Sequence, residues 1–116
     1  MVTKFAPDGY DRTLDRIVSA FGKAPNFVIG GKIFSLDEIF GDMLYGVESV
    51  KAKTKTPEKL EIIEQVIAKL HEARTALETK QDDAGITALA DAKELFRSVR
   101  SAGKKQTING TATVLK

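Results

Sequence analysis

Few side chains in this 116-residue chain have the type and spacing that chemistry requires, and the first to consider is its single histidine. His71 could act as a general base or a metal ligand, but either role needs a carboxylate to orient the ring or further ligands beside it. The positions three and four residues away hold Ile67, Ala68, Arg74 and Thr75, and Ser35, Ser49, Ser98 and Ser101 lie in no nucleophile-elbow sequence. The chain has no cysteine, so every other ligand of a metal held by His71 would have to be a carboxylate. We therefore read His71 as a residue at the border of a helix's apolar stripe. No catalytic, cofactor or metal site is assigned.

Two acidic groups come next, Asp8, Asp11 and Asp15, then Asp37, Glu38 and Asp42. Both lie where helices are expected to begin, and the positive end of the helix dipole is a sufficient reason for carboxylates there. A calcium loop needs oxygen ligands at alternating positions and a glutamate at its twelfth, whereas "APDGYDRTLDRI" ends without one. Gly30-Gly31-Lys32 suggests a phosphate loop. That motif requires a serine or threonine after the lysine and a glycine five places before the second glycine. Ile33 and Asn26 hold those places.

Lysines supply the last candidate chemistry. Lys51, Lys53 and Lys55 are spaced two apart in an expected connector, where three ammonium groups could reach one phosphate backbone. Lys104 and Lys105 in the C-terminal tail could add to such a surface. The rest of the chain argues against a broad basic face: residues 1–54 carry seven basic and seven acidic side chains, and residues 55–102 carry eight and nine. The excess positive charge lies in the tail, while nucleic-acid binders usually present a wide basic patch.

The elements that position these residues follow from composition and periodicity. A hydrophobic content of 42% in a chain of this length supports one core. No window approaches ~18 consecutive apolar residues and the N-terminus lacks the apolar run of a signal peptide, so a soluble, cytoplasmic protein is expected. Phe27-Val28-Ile29 and Lys32-Ile33-Phe34 flank Gly30-Gly31 symmetrically, which predicts a two-residue hairpin turn with positive φ at both glycines. Val28 then faces Ile33, and Phe27 faces Phe34.

Ser35 with Glu38 forms a capping box, and Phe34 with Ile39 a hydrophobic staple, so a helix begins there. Leu36, Ile39, Phe40, Met43, Leu44, Val47 and Val50 continue it on one face. Gly41 and Gly46 either admit a close neighbour or mark a break near Gly46. A short helix over 11–21 places Leu14, Ile17, Val18 and Phe21 on one stripe and stops at Gly22. Thr56-Pro57 starts a third helix running to 79, with Leu60, Ile63, Ile67, Leu70 and Leu77 inward, Arg74 taking one turn, and Ile62 and Val66 widening the arc. Asp82 or Asp83 caps a fourth through about 102, with Leu89, Ala92, Phe96 and Val99 buried, Ala84, Ala88 and Ala92 keeping one side slim, and Gly103 ending it.

The expected fold is mainly α: a small bundle of three to four helices, an antiparallel helical hairpin at 56–102, a short β-hairpin at 27–34 and an extended C-terminal arm. Residues 1–102 form a single helical domain and 103–116 the arm, whose Asn109-Gly110 turn signal and β-branched Thr111, Thr113 and Val114 favour extended structure. The expected function is a non-catalytic structural or interaction subunit of a larger assembly, such as a virion or similar homomeric particle. It would contact other protein chains through Tyr45, Ile108, Thr111, Thr113, Val114 and Leu115. The alternative is a small nucleic-acid-associated regulator using Lys51, Lys53, Lys55, Lys104 and Lys105.

Overall fold

The computed structural model describes residues 6–102. Within them the apolar periodicity becomes helices α1 (Tyr10–Lys23), α2 (Leu36–Lys53), α3 (Pro57–Glu78) and α4 (Asp82–Val99), with strands β1 (Val28–Ile29) and β2 (Lys32–Ile33) between α1 and α2. The expected arm over 103–116, with its terminating Gly103, lies outside the described residues.

Local chemistry accounts for most of the boundaries. At the start of α2 the Glu38 N–H donates to Ser35 Oγ at 3.1 Å, and the Ser35 N–H donates to Glu38 Oε1 at 3.0 Å. This capping box satisfies two donors that a helix start leaves without intrahelical partners. Pro57 opens α3, where its missing N–H removes no helical bond. Lys80 closes α3 with a φ of 65°, and the Gln81 N–H then donates to Ala76 O at 2.8 Å. The chain reverses within those few residues, so α3 and α4 run antiparallel. Contrary to expectation, neither aspartate caps α4: Gln81 holds that position without a side-chain bond, and Asp82 and Asp83 sit in the first turn. There they still meet the positive end of the dipole.

Packing decides which arc of each helix is buried. α3 and α4 share the most extensive interface, and α3 also packs on α2. Its buried line is Ile63, Val66, Leu70, Ala73 and Leu77, with Ile67 and Leu60 only half-buried. A helix gripped from two sides buries the bisector between its neighbours, which rotates the stripe away from Ile67. On α4, Leu89, Ala92, Phe96 and Val99 are buried as expected. The slim side is Gly85, Ala88 and Ala92, because Ala84 is exposed and Gly85 lies against Leu77.

On α1 the fully buried line is Thr13, Ile17 and Ala20, while Leu14 and Phe21 are half-buried and Val18 is exposed. Small side chains face inward because α1 lies close to α2. At that crossing Gly46 is buried, and a Cβ on it would stand 2.9 Å from both Pro7 Cγ and Thr13 Cγ2. α2 accordingly runs through Gly46 without a break.

The start of α1 is fastened to the end of α4. The Tyr10 ring stacks on Phe96 with centroids 4.7 Å apart, and its hydroxyl donates to Phe96 O at 2.8 Å and Arg97 O at 3.0 Å. Burial pushes the Tyr10 phenol above its ordinary range. Arg100 lies 4.5 Å over the Tyr10 ring and pairs with Asp11.

Candidate interaction surfaces

The hairpin forms in the register its sequence implies, Val28 opposite Ile33 and Ile29 opposite Lys32, with φ of 59° at Gly30 and 81° at Gly31. Positive φ at both central positions matches the turn twist to the strand twist. The Gly-Gly-Lys sequence is thus spent on a turn. Phe27 and Phe34 are buried, and the Phe34 N–H donates to Phe27 O at 3.0 Å. Phe27 meets Phe40 edge-on with centroids 6.1 Å apart, which anchors the hairpin to α2.

Sidedness follows from this anchoring. With Phe27 and Phe34 turned in, Val28 and Ile33 face out, and they remain 44% and 71% exposed. β1 packs against α1, whereas among the described residues β2 pairs only with β1. The 28–33 pair lies between the hydrogen-bonded 27–34 and 29–32 pairs, so the Ile33 N–H and C=O point away from β1. An apolar side chain and an outward-facing amide therefore share one open edge.

Under the hairpin lies a polar contact that periodicity did not reveal. Arg16 Nη1 is 2.8 Å from Asp42 Oδ2, with the arginine side chain 15% exposed and the carboxylate fully buried. The guanidinium also lies 5.3 Å from the Phe34 ring centroid. Asp42 is therefore corrected from a dipole partner to a buried ion-pair partner. It falls inside the apolar arc of Ile39, Met43 and Gly46, and a charge in such an arc demands a counter-charge. Arg16, Ile29, Gly30, Lys32 and Phe34 line a cleft of about 230 Å³ beside the pair.

The other carboxylates of that group are also engaged. Asp37 pairs with Arg74, and Glu38 lies 3.5 Å from Lys32 Nζ. The Ser35 backbone N–H, assisted by Lys32, holds the Glu38 carboxyl below the ordinary glutamate range. Among the described residues no group of three or more His, Asp or Glu residues is placed to hold a metal ion. His71 is exposed on α3 and lines a cleft of about 520 Å³ at the α3–α4 turn with Thr75, Thr79 and Gln81.

The remaining sequence candidates are dispersed. Tyr45 is 49% exposed on the outer face of α2, as its angular position implied. Lys51 and Lys53 lie in the last turn of α2 and Lys55 in the connector, so the three do not share one extended segment. Lys51 lies 2.5 Å from Glu64 and Lys53 4.0 Å from Asp8. The hydrogen bond to Glu64 raises the Lys51 ammonium above its usual range. Lys104, Lys105, Ile108, Thr111, Thr113, Val114 and Leu115 lie outside the described residues. No described helix is long and apolar enough to cross a membrane.

Compared with descriptions of known protein families, with curated protein sequences and with solved structures, the chain matches none of them.

Proposed function

We propose that this protein is a non-catalytic interaction subunit of a larger, homomeric assembly. The observation that carries this reading is the open β2 edge, where Ile33 is 71% exposed beside Val28. Exposed apolar residues on an unpaired strand edge are a liability that folded proteins usually blunt, unless another chain covers them. Tyr45 adds an exposed aromatic of the kind enriched in protein interfaces. The nucleic-acid reading has less support, because Lys51 and Lys53 already face acidic side chains and each such pair lowers the field available to a phosphate.

Sedimentation velocity of the full chain over a range of concentrations tests the proposal. A multimer is expected, either persistent or growing with concentration. A monomer throughout, together with tight binding of an oligonucleotide that weakens steeply with salt, would overturn the reading in favour of the nucleic-acid one.

A further inference from the structure

Residues 6–8 precede α1 and reach the place where α1 and α2 cross. Pro7 is buried there, and a Cβ on Gly46 would stand 2.9 Å from its Cγ and nearer still to Thr13 Oγ1. The proline ring and the threonine hydroxyl therefore meet over one small patch of α2. That hydroxyl is closed off from solvent and has no hydrogen-bond partner among the described residues. A cleft of about 320 Å³, lined by Ala6, Pro7, Arg12 and Ser19 among others, runs beside the ring, so solvent reaches its outer side.

Apart from that ring, little holds these residues down. The Gly9 N–H donates to Ser49 Oγ at 3.3 Å, longer than such bonds usually are. Asp8 lies 4.0 Å from Lys53 with both side chains more than half exposed, and a pair of that kind contributes little. Gly9 has a φ of 90°, and no atom stands within 4 Å of where its Cβ would be. Its carbonyl accepts from the Thr13 N–H at 3.1 Å and so belongs to α1, while residues 6–8 join the helix through that one glycine. A residue with open space and no side chain can absorb a change of backbone angle, as hinges do. Closing over the crossing buries the proline ring but strips the threonine hydroxyl of its water, and opening reverses both. These opposed terms are of similar size, which leaves only a small gap between the two positions.

We infer that residues 6–8 form a hinged strap, which lifts about Gly9 while α1 and α2 stay packed, and that lifting admits water to the Thr13 hydroxyl. Pro7 is the part that closes the strap, and Thr13 is the group that favours its release.

The absence of cysteine lets a single thiol report the motion. Thr13→Cys places one where the hydroxyl lies, and Val66→Cys places one in the fully buried core of α3. Both proteins are treated with methyl methanethiosulfonate, a small thiol reagent, over urea concentrations below the unfolding transition. The Thr13→Cys thiol should react about a hundredfold faster than the Val66→Cys thiol, because local opening is less costly than global unfolding. Its rate should hardly change with urea, since lifting the strap exposes little surface, whereas the Val66→Cys rate should climb steeply. Pro7→Ala in the Thr13→Cys protein should raise the low-urea rate about tenfold, as expected when most of a buried apolar ring is lost from the closed state. In the unaltered chain, hydrogen exchange of the Gly9 N–H should likewise be independent of urea while that of the Leu70 N–H follows global unfolding. This reading decides the matter if Thr13→Cys does not fold. Equal rates and urea slopes for the two thiols, a Thr13→Cys rate that Pro7→Ala leaves unchanged, or a Gly9 N–H that exchanges only with the core would overturn the strap. So would a Thr13→Cys thiol as reactive as in the unfolded chain, since the ring would then never close over it.

Discussion

Replacing Gly46 with alanine probes how closely α1 and α2 meet. In a helix interior the substitution is worth about 0.8–1 kcal/mol of added stability. Here the new methyl would stand 2.9 Å from Pro7 Cγ and from Thr13 Cγ2, and nearer still to Thr13 Oγ1. Thr13 is fully buried and β-branched, so it has little freedom to turn aside. Crowding of this kind costs about 1–3 kcal/mol, which outweighs the helix gain and leaves a net loss of about 1 kcal/mol. Thr13→Ala removes both crowding atoms of that side chain. It also removes a hydroxyl that is buried without a hydrogen-bond partner, a relief of about 1–3 kcal/mol set against the void it opens. The double variant Thr13→Ala/Gly46→Ala, in which only the Pro7 Cγ contact still crowds the new methyl, should therefore recover about 1 kcal/mol or more relative to Gly46→Ala alone. Urea midpoints at unchanged slope measure all four corners of the cycle. Effects that add within about 0.5 kcal/mol, or a Gly46→Ala variant that is stabilised by itself, would refute the close approach.

Three further outcomes follow from the same contacts. Asp42→Ala should cost about 3–5 kcal/mol because it removes the fully buried carboxylate that faces Arg16 under the hairpin, whereas Asp37→Ala at the exposed Arg74 pair should cost no more than about 1 kcal/mol; thermal melts separate them. Gly31→Val should lose about 1–3 kcal/mol, since a β-branched residue is strained at the φ of 81° found there, and an unchanged denaturant midpoint would contradict that turn. The folded-state pKa of Glu38 is depressed, so its contribution is present in full above the unfolded value and is lost as pH falls through the folded one. Glu38→Gln should flatten that acid limb in a stability-against-pH series, and an unaltered limb would assign it to other carboxylates.

Where one residue determined local geometry, the sequence was sufficient. The symmetric flanks of Gly30-Gly31 gave the strand register, Ser35 and Glu38 gave the start of α2, and Pro57 the start of α3. Where geometry depended on partners distant in the chain, periodicity misled. It selected Leu14 and Val18 as inward residues of α1, but close helix contact favours small side chains, and Thr13 and Ala20 took the buried places. The Arg16–Asp42 pair spans 26 positions and left only one trace, an aspartate within an apolar arc. Phe27 adopts a φ of 57°, which no pattern of hydrophobicity announces, and its buried ring offsets the strain. As for the candidate surfaces, the exposure of Tyr45 was readable from helical angles. The exposure of Ile33 was not, because a symmetric hairpin does not declare which face turns inward.

The fastening of Tyr10 to Phe96 also bears on the order in which the molecule assembles. α3 and α4 are consecutive in the chain, reverse within a few residues and share the largest interface, so their pairing closes only a short loop. The Tyr10 contact spans 86 positions and closes nearly the whole described chain. Short closures lose less chain entropy, so the α3–α4 pair forms early, and α1 with its hairpin docks onto it late. Weakening the Leu77–Gly85 contact would then slow refolding, while loosening the Tyr10 stack would mainly hasten unfolding. On that order of assembly, the clasp would bear more on how long the native state persists than on how quickly it is reached.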